Sequence, residues 1–237
     1  MSTFPGLPQK PNWRFQYYLF DLIQEWIDHR NRFNASDRLK PQWLDLLKKQ
    51  MIESEWPQQY ILSVQMAHAR LEAETGHFDT AVELAIEVGN HEECGFYDWG
   101  RAMDLVNLYG STSDLDQLKY QGVLAFASRI DDQFIYSMVR RLLLRPSHPD
   151  IHNTAKKLIN KLEVSMQAGR FHWSHAALPL LKGQLNYRKK KYAECLENLQ
   201  SKPFESKTNE SLETNGVNRV KPNLPPESGF LRCISVA

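Results

Sequence analysis

The chain has 237 residues, a formal net charge of +1, and contents of 42% hydrophobic and 24% charged residues. This length allows one large domain or two small ones with a real core, and the balanced charge gives no electrostatic argument for nucleic acid or an anionic membrane as the main partner. No apolar run approaches the ~20 residues that span a bilayer, so no membrane segment is predicted.

Residues 1–12 contain three prolines and a glycine, which predicts a flexible leader. A first helix is expected from Trp13 to Arg32. Tyr17 and Phe20 fall away from its main apolar stripe, so they are candidate residues for docking a partner, and packing against the next helix explains them equally well. The predicted apolar face consists of Phe15, Tyr18, Leu19, Leu22, Ile23 and Trp26.

Seven further helices are predicted from apolar residues spaced three and four apart. Gly76 and Gly89-Asn90 are read as helix stops, and Ser113 as an N-cap. The predicted bounds are Pro41 to the residue before Trp56, Pro57–Thr75, Phe78–Val88, Glu92–Tyr109, Leu115–Arg129, Asp131–Leu144 and Pro149–Ala168. The predicted core includes Leu44, Leu47, Met51, Phe78, Ala81, Val82, Ala85, Phe96, Trp99, Met103, Leu105, Val106, Ile151, Ala155, Leu158, Ile159 and Leu162.

A last pair of helices is predicted between Gln167 and Gln200, joined by a short basic turn. Pro179 should kink the first helix of this pair or shift its start. Neither helix can bury its apolar side alone, so the pair must stack on a neighbour. Its predicted apolar faces are Trp173, Ala176, Ala177, Leu180, Gly183 and Tyr187 in the first helix, and Tyr192, Cys195, Leu196 and Leu199 in the second.

Ten antiparallel helices joined by short turns predict an all-α solenoid or bundle over residues 13–200, since no segment alternates as a strand would. From residue 201 the composition becomes polar and rich in Pro, Asn, Ser, Glu and Lys. Residues 201–237 are therefore predicted to be a disordered tail. Its final eight residues, FLRCISVA, are either a docking peptide or an unstructured end.

The six residues from Gly76 to Ala81, preceded by the small residue Ala69, resemble the turn and second helix of a tetratricopeptide repeat. In the last pair, Gly183, Tyr192 and Cys195 take the same positions, and Lys190 stands where the family has its turn glycine. The two matches lie 114 residues apart. This resemblance implies antiparallel helix pairs stacked as a TPR-like solenoid that binds a protein or peptide.

Residues 93–200 are also similar to the C-terminal repeat region of large serine/threonine protein kinases from planctomycete-type bacteria, and the stretch Leu142 to Pro146 matches the break in that region. The chain has no Gly-x-Gly-x-x-Gly run and no Asp-Phe-Gly, so the kinase domain itself is predicted to be absent. The similarity implies an interaction module linked to kinase signalling, or a regulatory remnant of a kinase.

Two pairs of potential metal ligands, three residues apart, open the alternative of a histidine-dependent enzyme: His91 with Cys94, and His172 with His175. A metal site needs three or four converging ligands, and nothing in the sequence joins the two pairs. We therefore predict no catalytic, cofactor-binding or metal-binding residue. His148 and His152 flank a helix start, where helix capping is the expected role.

The basic turn of Arg188, Lys189, Lys190 and Lys191 is a candidate contact for a phosphate or an acidic peptide. The alternative is a solvated turn that complements the C-terminal end of the preceding helix. Cys195 lies within an apolar stripe and is expected to be a buried packing residue.

Three cysteines far apart in the sequence argue against a disulfide framework and favour a reducing compartment, so we predict a cytoplasmic protein. The function predicted from the sequence is a non-catalytic scaffold for protein–protein interaction. Its partner would be a protein or peptide, with no nucleic acid and no membrane, and the sequence leaves its oligomeric state open.

Overall fold

The structure is a computed structural model that describes residues 18–19, 22–23, 25–27, 39–169 and 177–200. These residues form helices and turns, without any strand. The described positions among residues 18–27 are helical and fall within the predicted first helix. The helices with defined bounds are α1 (Pro41–Glu53), α2 (Gln58–Glu74), α3 (Phe78–Asn90), α4 (Phe96–Tyr109), α5 (Thr112–Phe126), α6 (Asp132–Leu142), α7 (Pro149–Gln167), α8 (Ala177–Arg188) and α9 (Tyr192–Gln200).

The predicted leader, residues 1–12, and the predicted tail, residues 201–237, lie outside the described residues. Of the helices that are described, none combines the length and the apolar character needed to cross a membrane. Because the described residues contain helices and no strand, the prediction of an all-helical fold is confirmed for that part of the chain.

Helix starts follow local chemistry. Pro41 opens α1 as predicted, because its fixed φ angle suits the first turn of a helix. The prediction of Ser113 as the cap of α5 is wrong by two residues. Ser111 is the N-cap: its hydroxyl accepts from the N–H of Asp114 at 3.2 Å, and the Asp114 carboxylate accepts from the N–H of Ser111 at 3.0 Å. This reciprocal capping box requires a spacing of three residues, which Ser111 and Asp114 have.

Gly89 is not a helix stop, as the sequence had suggested, but a packing residue inside α3. The helix continues to Asn90, and a Cβ atom at Gly89 would lie 2.6 Å from Cδ2 of Leu118. The missing side chain therefore allows α3 and α5 to approach closely.

The helices contact each other in two ways. Each helix from α1 to α9 packs against the next one along the chain, except that α5 and α6 have little contact with each other. In addition, α2 contacts α4, α4 contacts α6 and α6 contacts α8, while α3 contacts α5 and α5 contacts α7. Contacts between alternate helices therefore produce an even row (α2, α4, α6, α8) and an odd row (α3, α5, α7).

Two apolar clusters fill the spaces between these helices, and all described residues belong to one compact unit. Helix α2 contributes to both clusters, with Leu71 in the smaller one and Leu62 in the larger one. Trp99 is fully buried in the larger cluster and donates from Nε1 to the carbonyl oxygen of Leu118 at 2.9 Å. Its indole lies against Gly122, where a Cβ atom would be 2.1 Å from Cζ2 of Trp99.

Several predicted core residues are exposed instead. In α8 the buried face contains Leu178, Leu181 and Leu185, so the prediction was displaced by about one residue, although Gly183 is buried as predicted. Trp173 and Ala176, which anchored that prediction, lie outside the described residues. The predicted core residues that are 45% exposed or more are Tyr18, Leu22, Phe78, Leu180, Tyr187, Tyr192, Leu196 and Leu199.

Candidate functional site

Two adjoining cavities open between helices of the even row. One of ≈ 290 Å³ lies between α2 and α4, and one of ≈ 300 Å³ lies between α4 and α6. Asp104 and Leu108 line both cavities, so we treat them as one feature, the central groove. The other residues that line it are Met66, Arg70, Ala73, Glu74, Arg101, Leu105, Tyr109, Asn107, Tyr136, Ser137, Arg140, Arg141 and Leu144.

The spacing of residues along α4 explains why this helix forms the middle of the groove. Arg101, Asp104 and Leu108 recur at three and four residues, which places them on one face of the helix. Trp99 and Met103 lie on another face, buried in the core. The groove is therefore lined by the side of α4 that the core leaves uncovered.

The groove contains exposed apolar side chains. Leu108 is 68% exposed, although it lies at the centre of the groove. The ring of Tyr109 stacks on the ring of Phe78 with 4.5 Å between the ring centroids. Phe78, which was predicted as core, is the first residue of α3 and packs on Tyr109 near the surface. An exposed leucine beside stacked rings offers an apolar contact for a ligand.

The lining of the groove carries four arginines and two carboxylates. One of the carboxylates, that of Asp104, is 2.7 Å from Nη2 of Arg141. Nε of Arg141 also donates to the carbonyl oxygen of Gly100 at 3.0 Å, where a Cβ atom would be 2.8 Å from the guanidinium carbon. Arg101 lies 3.4 Å from the carboxylate of Asp98, which is outside the lining, so at least two of the four arginines have carboxylate partners.

Sequence reasoning did not identify this groove. Arg140 and Arg141, at the end of α6, both line it. The usable signal was the polar face of α4, but the sequence does not show that this face is flanked by α2 and α6.

The predicted partner-binding residues have different environments. Nε of Arg188 donates to the carbonyl oxygen of Leu143 at 2.9 Å, so Arg188 stabilises the C-terminal end of α6. Its charge also lies in the last turn of α8, as predicted. Lys189 is half-buried, and Lys190 is exposed. Arg188, Lys189 and Lys190 are not among the described residues that line the groove. Tyr17 and Phe20 lie outside the described residues.

Arg188 and Lys189 belong to a cluster that we call the basic junction, completed by Lys119, Arg145 and His152. Lys119 is fully buried in α5, and its Nζ donates to Leu144 O, Ser147 Oγ and, at 3.3 Å, Asp116 Oδ1. Burial lowers the pKa of Lys119, and the hydrogen-bonded Asp116 opposes that shift. Nη1 of Arg145 donates to the Gly110 carbonyl at 3.1 Å.

The two histidines at the start of α7 differ in their hydrogen bonds. His148 is the N-cap, as predicted: its Nδ1 accepts from the N–H of Asp150 at 3.4 Å. His152 is not a cap. It is 8% exposed within α7, and its Nε2 has no hydrogen-bond partner within the described ranges. Burial lowers the pKa of His152, and the charges of Lys189, Lys119 and Arg188 lower it further against the effect of Asp116.

The proposed metal-ligand pair of His91 and Cys94 has local roles. Nδ1 of His91 accepts from the N–H of Glu93 at 3.1 Å. Burial, with a contribution from the charge of Asp98, raises the pKa of Cys94 to about 12, so its reactive thiolate form is disfavoured. Within the described ranges, no group of three or more His, Cys, Asp or Glu residues is placed to hold a metal ion. His172 and His175 lie outside those ranges.

A further polar network joins α1 to the end of α2. The buried ring of His68 lies 3.1 Å from Asp45 Oδ1 and 3.0 Å from Glu72 Oε1, and His77 Nδ1 lies 2.6 Å from Glu72 Oε2. Burial raises the pKa of Glu72, but the hydrogen bonds with His77 and His68 outweigh it and leave the pKa below its usual 4.5. This network fixes the helix pair by charge-assisted hydrogen bonds.

No family model, no curated protein and no solved structure matches the chain. The tetratricopeptide and kinase-linked resemblances therefore stay predictions.

Proposed function

We propose that the chain is a non-catalytic scaffold for protein–protein interaction, of TPR-like type, and that its central groove binds a segment of a partner protein. The observation that carries this proposal is the lining of one groove by three alternate helices, α2, α4 and α6, with the exposed Leu108 at its centre. Helical-repeat proteins bind partners on surfaces of this kind, formed by the same helix of successive units.

The two rows of helices support the TPR-like part of the proposal. In a solenoid of antiparallel helix pairs, each first helix contacts the first helix of the next pair, and each second helix contacts the next second helix. The contacts of α2 with α4 and of α3 with α5 follow this rule, and those of α4 with α6 and of α5 with α7 continue it.

Charge and shape favour an acidic partner segment that also carries apolar side chains. The lining has four arginines, against the carboxylates of Glu74, Asp104 and Asp98, the partner of Arg101. This small excess of positive charge would attract negative charge, since complementary potentials guide association. Leu108 and Tyr109 would receive the apolar side chains of the same segment. Buried apolar contact supplies affinity, and the charged rim supplies specificity.

A cytoplasmic setting belongs to the same proposal. Cys94 and Cys195 are free thiols and both are buried, which suits a reducing compartment. The link to serine/threonine kinase signalling rests on the sequence resemblance, and any kinase partner would bind through the groove.

The proposal is tested with two leucines of nearly equal exposure. Leu108 lies in the groove and is 68% exposed, while Leu124 lies on α5, outside the groove lining, and is 66% exposed. A library of random peptides displayed on phage would be selected on the wild-type chain. The affinity of enriched peptides for Leu108→Asp and Leu124→Asp would then be measured by fluorescence polarisation.

We expect the enriched peptides to be acidic and to contain leucine or aromatic residues. The Leu108→Asp substitution removes an apolar contact and adds a repelling charge, so affinity should fall about tenfold or more, with Leu124→Asp unchanged. Failure to enrich any peptide, or equal losses in both variants, would contradict the groove as the binding site.

A further inference from the structure

Two cationic side chains donate hydrogen bonds to the loop between α6 and α7. Arg188 donates to the carbonyl of Leu143, and Lys119 donates to the carbonyl of the next residue, Leu144. Lys119 also donates to Ser147, two residues before α7 begins. Arg188 and Lys119 therefore both lie against the loop that leads into α7, and Lys189 follows Arg188 in the chain.

His152 is a buried polar group without a partner in this cluster. It is 8% exposed, and its Nε2 has no hydrogen-bond partner among the described residues. An unsatisfied buried polar atom costs free energy, so such an atom in a folded protein usually has a ligand, an ion or a water molecule. Nε2 of His152 can therefore form a hydrogen bond with a bound group.

The surroundings of His152 specify the charge of that group. Lys189, Lys119 and Arg188 all act on His152 through their positive charges, and Asp116 is the acidic side chain that acts in the opposite direction. Arg145 adds a further positive charge that acts on Lys119. The N-terminal end of α7, which is 19 residues long, contributes the positive end of its dipole. The charges around His152 therefore favour an anion as the ligand.

We propose that the basic junction binds a phosphate group, held by Arg188 and Lys189 at the surface and by His152 on the inner side. Arg188 uses Nε for the carbonyl of Leu143, which leaves its terminal nitrogens for two oxygens of one ligand. Lys189 has no ion pair within the described ranges and supplies a second charge. A phosphate monoester carries up to two negative charges and three acceptor oxygens, which matches two cations and one imidazole.

This site is independent of the groove. Arg188, Lys189 and His152 do not line either cavity, and the proposal holds whether or not the groove binds a peptide. The same chemistry belongs to free inorganic phosphate and to a phosphorylated side chain of a partner, so both ligands belong in the test.

The test is a titration of the full chain with inorganic phosphate, followed by the ring signals of His152 in ¹⁵N-edited NMR spectra. Chloride at equal ionic strength is the screening control. A phosphoserine-containing peptide and its unphosphorylated form are titrated in parallel. Assignment of the ring signal uses His152→Leu, which replaces the unpartnered polar atom with an apolar side chain.

Adjacent lysines supply the matched variants. Lys189→Gln removes a charge inside the junction, and Lys190→Gln removes the same charge from the exposed neighbouring residue. We expect saturable phosphate binding that shifts the His152 ring signals. Lys189→Gln should weaken the binding about fivefold, as for the loss of one charge-assisted hydrogen bond. Lys190→Gln should change it less than about twofold, as for an exposed charge.

The relative affinities of the two ligands then identify the source of the phosphate. Tighter binding of the phosphopeptide than of inorganic phosphate, without binding of the unphosphorylated form, supports the proposal and assigns the site to a modified partner. Tighter binding of inorganic phosphate supports it and assigns the site to the free ion. A His152 signal that does not saturate, or equal effects of Lys189→Gln and Lys190→Gln, overturns the proposal.

Discussion

The α2–α3 pair and the α8–α9 pair are each joined by a turn of the same type. Gly76 and Lys190 both have positive φ angles, of 90° and 60°. The N–H of the next residue, His77 or Lys191, donates across the helix end to Glu72 or Asn186, at 2.9 Å in both cases. With the bonds from Gly76 to Ala73 and from Lys190 to Tyr187, this is the same Schellman motif, repeated at a distance of 114 residues.

Burial of the helix that follows the turn differs between the two pairs. In α3, Ala81, Val82, Ala85 and Val88 are buried between α2, α4 and α5. In α9, Cys195 is the buried residue among those described, and this helix packs mainly against α8. The apolar residues of α9 that are at least half exposed are Tyr192, Leu196 and Leu199.

This difference shows that local sequence determines the turn and neighbouring helices determine the burial. The two turns form alike because backbone hydrogen bonds at a helix end involve only about six residues. The two apolar faces differ because α3 lies between other helices, whereas α9 packs mainly against α8 among the described helices. A solenoid predicts this pattern, since each unit is stabilised by the units beside it.

The largest expected effect is the difference in unfolding free energy between a substitution in α3 and the matching substitution in α9. Val82 and Leu196 occupy matching positions, 114 residues apart, and are 9% and 59% exposed. Val82→Glu places a carboxylate in the core and should lower the free energy of unfolding by about 3 kcal/mol. Leu196→Glu should change it by no more than about 0.5 kcal/mol. Urea unfolding followed by circular dichroism measures both.

Equal destabilisation by the two glutamates would contradict the comparison. It would show that α9 is covered as well as α3, by residues outside the described ranges or by another chain.

Exchange of the turn residues tests the shared turn. A side chain at Gly76 would meet no atom within 4 Å, so only the backbone conformation opposes it. Gly76→Lys should therefore cost about 1 kcal/mol, and Lys190→Gly should stabilise the chain by about 0.5 kcal/mol, since glycine adopts positive φ without strain. Thermal unfolding of both variants checks the opposite signs, and two changes of the same sign would show that the turns are not equivalent.

The smallest expected effect concerns the charge network that only the α2–α3 pair has at this position. Glu72 corresponds to Asn186 in the α8–α9 pair. Because its pKa in the folded chain lies below 4.5, its ionised form stabilises the fold above pH 4.5, and that stability is lost as the pH falls through the lowered pKa.

Glu72→Gln should therefore destabilise the chain near pH 6 by less than Gly76→Lys does, and the difference from wild type should close as the pH falls through the lowered pKa of Glu72. Urea unfolding across this pH range provides the measurement, and the exposed Glu74→Gln is the control. A difference that stays constant with pH would show that ionised Glu72 is not the stabilising form.

Much of the fold could be predicted from the sequence, because it depends on local patterns. The stripe of Ile151, Ala155 and Leu158 is buried as its spacing indicated, and Lys190 occupies the turn position that the repeat pattern assigned to it. Misjudged residues such as Gly89 depend on a second helix. In the sequence alone Gly89 predicts a helix stop, and its packing role becomes visible only in the structure, where Leu118 lies against it.

The candidate sites were less predictable for the same reason. The basic turn was visible as a charge run, but the role of Arg188 depends on Leu143, 45 residues earlier in the chain. His152 was read as a cap because it lies near a helix start, and only the approach of α5 and α8 buries it among cations. The groove requires three helices separated in sequence to lie side by side, and periodicity within one helix does not contain that information.

Hydrogen exchange measured by mass spectrometry tests the central claim most directly, which is that each helix pair is stabilised by stacking on its neighbours. The account predicts that amides of α3 exchange only on global unfolding, while amides of α9 exchange at least about tenfold faster through local opening. Equal protection of the two helices, or exchange in α3 as fast as in α9, would contradict the account.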